Sequence, residues 1–240
     1  RGLMRPTKRT AAAAIAAMPI GLALLAGALG EQAPVVDGWA YYGHDPGGTR
    51  YSPLTDITTA NVSQLTVAWT FRTGDAIDGP GNRRSGFEAT PILVVGALYV
   101  TTGRNRIIAL NPERGAQLWS YDPQIDQSWG YGDGLINRGV ATWVNSRTSA
   151  SAPCRRAILE ATLDARLIAV DAVTGKPCAD FGRDGAVDLS GVERYRRGVY
   201  HMTSPPAVVD DVVVVGSSID DGGRSDMAAG GVRAYGALTG

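Results

Sequence analysis

The residues of this chain best suited to chemistry gather between His201 and Asp221. Thr203 and Ser204 precede a Val-Val run at 208–209, and Ser217, Ser218, Asp220 and Asp221 follow a second valine run at 212–215. The pair Asp210-Asp211 between the runs predicts a tight antiparallel hairpin, so the two polar ends meet on one side. Hydroxyls and carboxylates assembled beside Gly222-Gly223 suit a hard, oxygen-preferring cation or an anionic cofactor; the same residue types also make ordinary surface loops. Zinc is poorly served, because His44 and His201 are the only histidines and neither stands at metal-ligand spacing.

The elements that must hold these groups are short strands. Of 240 residues, 44% are hydrophobic and 19% charged, which suits a folded core, and 31 glycines with 13 prolines suit many strands joined by tight turns. Lysine plus arginine and aspartate plus glutamate number 23 each. That balance gives no basic field of the kind nucleic-acid binding uses.

Residues 1–33 read as a signal peptide or an N-terminal membrane anchor. Arg1, Arg5, Lys8 and Arg9 precede the uncharged run 11–29, and small residues lead to Glu31 and Pro34. Export places the two cysteines, Cys154 and Cys178, in an oxidising compartment. They flank the apolar runs 157–159 and 167–170, so pairing of neighbouring strands predicts a disulfide between them. From residue 34 the chain reads as one partial domain, with a helical turn capped by Thr59 or Asn61, an alternating strand at 65–71 and a polar loop at 73–86.

A repeat follows. Residues 87–100 and 106–119 each read strand, turn, strand, and the phrase around Ala109 recurs around Ala169 and Ala234, 60 and 65 residues apart. The opening of the repeat recurs as well, since Ala89-Thr-Pro-Ile92 and Thr203-Ser-Pro-Pro206 precede apolar runs of similar character. Four-stranded units at this period predict an all-β protein, a β-propeller, with Trp119 docking between successive blades. The third copy reaches Gly240 in mid-blade, so the chain is expected to be the N-terminal part of a longer protein, inactive and unable to hold a cofactor tightly by itself.

With these features the sequence resembles pyrroloquinoline quinone (PQQ)-dependent dehydrogenases of the membrane-associated glucose, polyol and quinate type. The resemblance rests on Gly47-Gly-Thr-Arg-Tyr-Ser-Pro-Leu54, Glu88-Ala-Thr-Pro91, Asn137-Arg-Gly-Val140, Leu163-Asp-Ala-Arg-Leu-Ile-Ala169, Thr203-Ser-Pro-Pro206 and Gly216-Ser-Ser218, in this order. It implies an eight-bladed propeller of which this chain holds the first three or so blades. It also implies PQQ held with Ca²⁺ or Mg²⁺, a sugar or polyol substrate, a respiratory quinone as electron acceptor, and a periplasmic location with possible attachment to the inner membrane. Position by position, Glu88 matches a cofactor-binding acid and Arg138 an arginine that pairs with a cofactor carboxylate. Thr203 and Ser218 match cofactor-binding hydroxyls, and Asp221 matches the cation ligand, with Asp220 a lesser alternative.

Two departures matter. Arg104 stands where glucose-oxidising members carry a histidine near the substrate mouth. Gly132-Asp133 stands where alcohol-oxidising members carry two adjacent cysteines against the quinone, which disfavours simple alcohols. No residue here matches the catalytic base. The alternative from another class is a non-catalytic propeller of the same repeats, serving as an envelope assembly scaffold.

Overall fold

The computed structural model describes residues 38–75, 85–220 and 226–240. The targeting segment, most of the polar loop at 73–86 and Asp221 lie outside the described residues. The strands in chain order are β1 (Ile92–Val94), β2 (Ala97–Thr101), β3 (Ile107–Leu110), β4 (Gln117–Tyr121), β5 (Ala141–Val144), β6 (Arg156–Ala161), β7 (Arg166–Asp171), β8 (Ala186–Asp188), β9 (Tyr200–His201), β10 (Ala207–Val209), β11 (Val212–Gly216), β12 (Ser218–Ile219) and β13 (Val232–Gly236). They form two four-stranded meanders, β1-β2-β3-β4 and β5-β6-β7-β8, a three-stranded sheet β10-β11-β13, and the small pair β9-β12. All the pairings are antiparallel. This is the expected all-β architecture of successive propeller blades.

Successive sheets pack through interleaved apolar faces. Ile158, Ile168 and Val170 of the second sheet meet Ile92, Tyr99 and Ile107 of the first. Leu159, Leu167 and Ala169, from the opposite face of the second sheet, meet Val213 and Val215 of the third. A sheet buried on both faces carries no polar alternation, which is why β3, β6 and β7 read as nearly continuous apolar runs. The hairpin at 208–215 forms as the sequence predicts, with Val209 opposite Val212 and Asp210 at positive φ in the turn.

Tryptophans tie one unit to the next. The Trp119 indole N–H donates to the Ala172 carbonyl at 3.0 Å, and its ring covers Gly175 in the β7–β8 turn. Trp69 does the same one unit earlier, donating to Pro112 at 2.9 Å and covering Gly115. Both glycines have positive φ and no room for a Cβ beneath the ring, so they are required twice over. At Gly240 the corresponding contact is Val187.

The stretch 65–71 departs from expectation. Its alternation encodes a two-faced segment, but among the described residues no neighbouring strand pairs with it. It serves instead as a cover, with Trp69 and Phe71 packed over Val100, Ile108 and Leu110 of the first sheet. The helical turn is a 3₁₀ turn, Val62–Gln64, after Asn61, whose side-chain carbonyl accepts from the Thr58 N–H at 2.7 Å.

Cys154 and Cys178 form the expected disulfide, with Cα atoms 5.8 Å apart. The Cys154 N–H also donates to Asp171 Oδ2 at 2.7 Å, so the covalent link and a charged hydrogen bond anchor the same corner of the second sheet.

One ionisable group sits inside the core. Glu160 on β6 is wholly buried, and neither carboxylate oxygen has a hydrogen-bond partner of acceptable geometry among the described residues. Burial raises its pKa well above the ordinary value, and neither the nearby Asn105 amide nor the Arg166 charge offsets that.

Two outcomes follow for the full-length protein. Replacing Cys154 and Cys178 by alanine is expected to lower unfolding free energy by about 3 kcal/mol, the scale for a loop of this length, as read by denaturant titration. Glu160→Gln is expected to gain stability over the wild type as pH rises. The folded carboxyl binds its proton more tightly than the unfolded one, so the wild-type advantage is complete below about pH 4.3 and is lost toward the raised folded pKa. Unfolding curves at a series of pH values test it.

Candidate functional site

Three equivalent stretches, each leading into the first strand of its sheet, meet side by side. Residues 88–91 lead into β1, 137–140 into β5 and 203–206 into β10. The Arg138 N–H donates to the Thr203 carbonyl at 2.8 Å, and the Thr90 N–H donates to the Arg138 carbonyl at 3.1 Å. The Arg138 peptide is therefore held on both edges by its two neighbours. Gly139 lies against the Thr90 carbonyl, where an added Cβ would come within 3.0 Å, and its φ of +136° suits glycine alone.

Asn137 fixes this arrangement from below. Its buried amide oxygen accepts from the Thr101 hydroxyl at 2.7 Å and from the Gly139 N–H at 2.9 Å, and its nitrogen donates to the Ala161 carbonyl at 3.3 Å. One side chain thus ties the 137–140 segment to both the first and the second sheet.

Above it, the side chains of Glu88, Arg138 and Thr203 converge. Arg138 donates through Nε to Glu88 Oε2 at 3.0 Å and through Nη1 to the Thr203 hydroxyl at 2.6 Å. The Arg138 and Glu88 side chains are 38% and 42% exposed, so solvent screens the pair and its role is to aim the guanidinium more than to stabilise the fold. A guanidinium has five N–H donors. Two are used here, and no described residue accepts from the other three.

Ser218 reaches the same neighbourhood through a second group of residues. β12 pairs with β9, placing Ser218 opposite His201, two residues before Thr203. The Ser218 hydroxyl donates to Asp133 Oδ2 at 2.9 Å, and His201 Nε2 meets the same oxygen at 3.1 Å. The imidazole is fully buried, whereas the Asp133 side chain is 46% exposed. His201 Nδ1 faces the Val199 carbonyl at 3.1 Å, and the Tyr131 ring meets the imidazole edge-on at 6.3 Å. Desolvation opposes ionisation of Asp133, but the hydrogen bonds from His201 and Ser218, with the charges of His201 and Arg138, prevail and hold its carboxyl below the ordinary value.

A cavity of about 450 Å³ opens beside Arg138, lined also by Tyr41, Tyr42, Asp45, Pro205 and Pro206. Its size is within the range of small-molecule sites. Arg104 lies in the β2–β3 turn, its Nε buried and unpartnered, and among the described residues no hydrogen bond or ion pair joins it to Glu88, Arg138 or Thr203. Asp220 follows β12, with its Cβ in close reach of Gly132. Among the described residues no group of three or more His, Cys, Asp or Glu is placed to hold a metal ion.

Of the residues sequence reasoning singles out, Glu88, Arg138 and Thr203 are bonded into one cluster, Ser218 is bonded to Asp133, Arg104 joins neither group among the described residues, and Asp221 lies outside them. Sequence reasoning passes over Asp133 and His201 as a pair, since they stand 68 residues apart. The available signal was that one lies five residues before Arg138 and the other two before Thr203.

Comparison with known proteins matches residues 39–240 to the profile of the PQQ glucose/ethanol/alcohol dehydrogenase β-propeller domain. The chain is 38% identical over 209 residues to the glycerol dehydrogenase large subunit of Gluconobacter oxydans, covering 86% of this chain and 28% of that protein. It is 36% identical over 216 residues to quinoprotein glucose dehydrogenase A of Acinetobacter calcoaceticus, covering 84% and 27%. Among solved structures, the quinohemoprotein alcohol dehydrogenase of Comamonas testosteroni aligns with a TM-score of 0.66 at 32% identity, covering 84% of this chain and 26% of that one. The chain therefore spans somewhat over a quarter of the length of these relatives.

Proposed function

Because the chain belongs to the PQQ-dependent glucose/ethanol/alcohol dehydrogenase β-propeller family, we propose that the full-length protein is a quinoprotein that oxidises a hydroxyl group of a sugar or polyol. The observation that carries this reading is the Arg138 cluster, in which three successive units each give one side chain to a single partly open face.

The residues present fit the cofactor. PQQ carries three carboxylates, and Arg138 offers uncommitted N–H donors beside a cavity of suitable volume. Thr203, which accepts from Arg138, keeps its own hydroxyl proton to donate. Glu88 holds the guanidinium in place and is assigned a hydrogen bond to the cofactor as well. Ser218 and Asp133 border the same face. When bound, PQQ supplies an electrophilic carbonyl that takes two electrons from the substrate.

Asp221, outside the described residues, is proposed as the protein ligand of Ca²⁺ or Mg²⁺. Arg104 is proposed at the substrate mouth. A respiratory quinone is proposed as the electron acceptor. Export to the periplasm, with possible attachment to the inner membrane, is proposed from the basic residues and uncharged run of the first 29 positions; the disulfide accords with an oxidising compartment.

Titration of the full-length protein with PQQ in the presence of Ca²⁺ or Mg²⁺ tests the reading. Arg138→Ala is expected to weaken PQQ binding roughly 30-fold, equivalent to about 2 kcal/mol for a hydrogen-bonded charge pair. A non-catalytic propeller would bind no PQQ, and its Arg138→Ala variant would change nothing in that titration.

A further inference from the structure

Asp133 and His201 are not needed to explain the Arg138 cluster, yet they are built with care. Asp133 Oδ2 accepts from both Ser218 and His201, while among the described residues no donor reaches Oδ1. The two contacts of His201 are both with acceptors: the Val199 carbonyl can only accept, and so can an ionised Asp133. Both ring nitrogens are thus committed, one to the backbone and one to Asp133, which fixes the orientation of the ring. A fully buried imidazole thus orients a carboxylate that is itself half exposed.

The second constraint is positional. His201 and Thr203 lie two residues apart on β9 and its continuation, and Arg138 is bonded to Thr203 through backbone and side chain. Asp133 therefore stands at the edge of the face that Arg138 presents, and the two charges feel each other. Asp220 closes against Gly132, so the Asp133 backbone is wedged where no side chain fits at the preceding position.

We propose that Asp133 is a specificity-determining residue, presenting Oδ1 as a fixed acceptor for a substrate hydroxyl next to the one oxidised, and that His201 is its positioning residue. A carboxylate held by two donors on one oxygen offers the other in a set direction, which suits recognition of vicinal hydroxyls. A site built to bind a hydroxyl loses much of its binding when that acceptor is removed. This assignment rests on the polyol-oxidising reading above and names the group that selects polyols.

The test uses the full-length enzyme loaded with PQQ and Ca²⁺, assayed with glycerol, sorbitol and glucose by dye-linked oxidation. Asp133→Ala is expected to raise KM for the best of these substrates roughly tenfold or more, with kcat changed less than about threefold and any loss of PQQ affinity well below the rise in KM. Asp133→Asn, which keeps the shape and can bond Ser218 and His201, guards against misfolding and is expected to shift KM the same way. His201→Phe is expected to follow Asp133→Asn, whereas His201→Gln, which retains an N–H donor, is expected to stay within about threefold of wild type. An unchanged KM in Asp133→Asn, or PQQ affinity falling in step with KM, overturns the assignment. A wild-type enzyme that takes up no PQQ removes the underlying reading instead, and that result is visible before any variant is made.

Discussion

The peptide of Arg138, hydrogen-bonded on both edges and pinned beneath by the Asn137 amide, is the constraint on which the site depends. Glu88, Arg138 and Thr203 stand three or four residues before the first strands of three different sheets. Nothing local would hold them together. What does so is a lateral chain of backbone bonds from Thr90 to Arg138 to Thr203, with Asn137 bonded into the first sheet through Thr101 and the second through Ala161. Any shift of one sheet against the next would move the guanidinium away from its partners. The precision of the site is therefore the precision of sheet packing.

That packing is set by apolar burial on both faces of the central sheet and by indole rings seated on turn glycines. Large side chains from facing sheets interleave at close-packed density, which resists sliding because each displacement opens gaps that cost contact energy. The indole N–H bonds to Pro112 and Ala172 add direction to an otherwise non-directional force. Glu160 is the one carboxyl among the described residues that is wholly buried in this core, and the low dielectric there raises its pKa well above the ordinary value.

Polar side chains in the site are arranged in two linked pairs. Arg138 with Glu88 is open to solvent on one side and keeps donors to spare, whereas His201 with Asp133 is closed on the imidazole side and open on the carboxylate side. The first presents positive charge to a ligand and the second an acceptor.

The repeat, the all-β class, the hairpin at Asp210-Asp211 and the docking of Trp119 were legible in the sequence because each depends on local chemistry: alternation, turn residues and a recurring phrase. Glu88, Arg138 and Thr203 stand out in the sequence through motifs at equivalent positions ahead of three successive sheets, and Ser218 through Gly216-Ser-Ser218. Other features were decided only by tertiary structure. The stretch 65–71 alternates like a strand, yet strand identity requires a partner ladder that no local pattern specifies. Glu160 reads as an ordinary strand charge, and only the sheet packed over it makes it a buried acid. Asp133 and His201 each stand in a stretch the sequence marks, but nothing in it pairs them. They meet because β9 pairs with β12 and the 131–139 segment crosses beside it, a proximity fixed by how sheets stack and not by any distance along the chain.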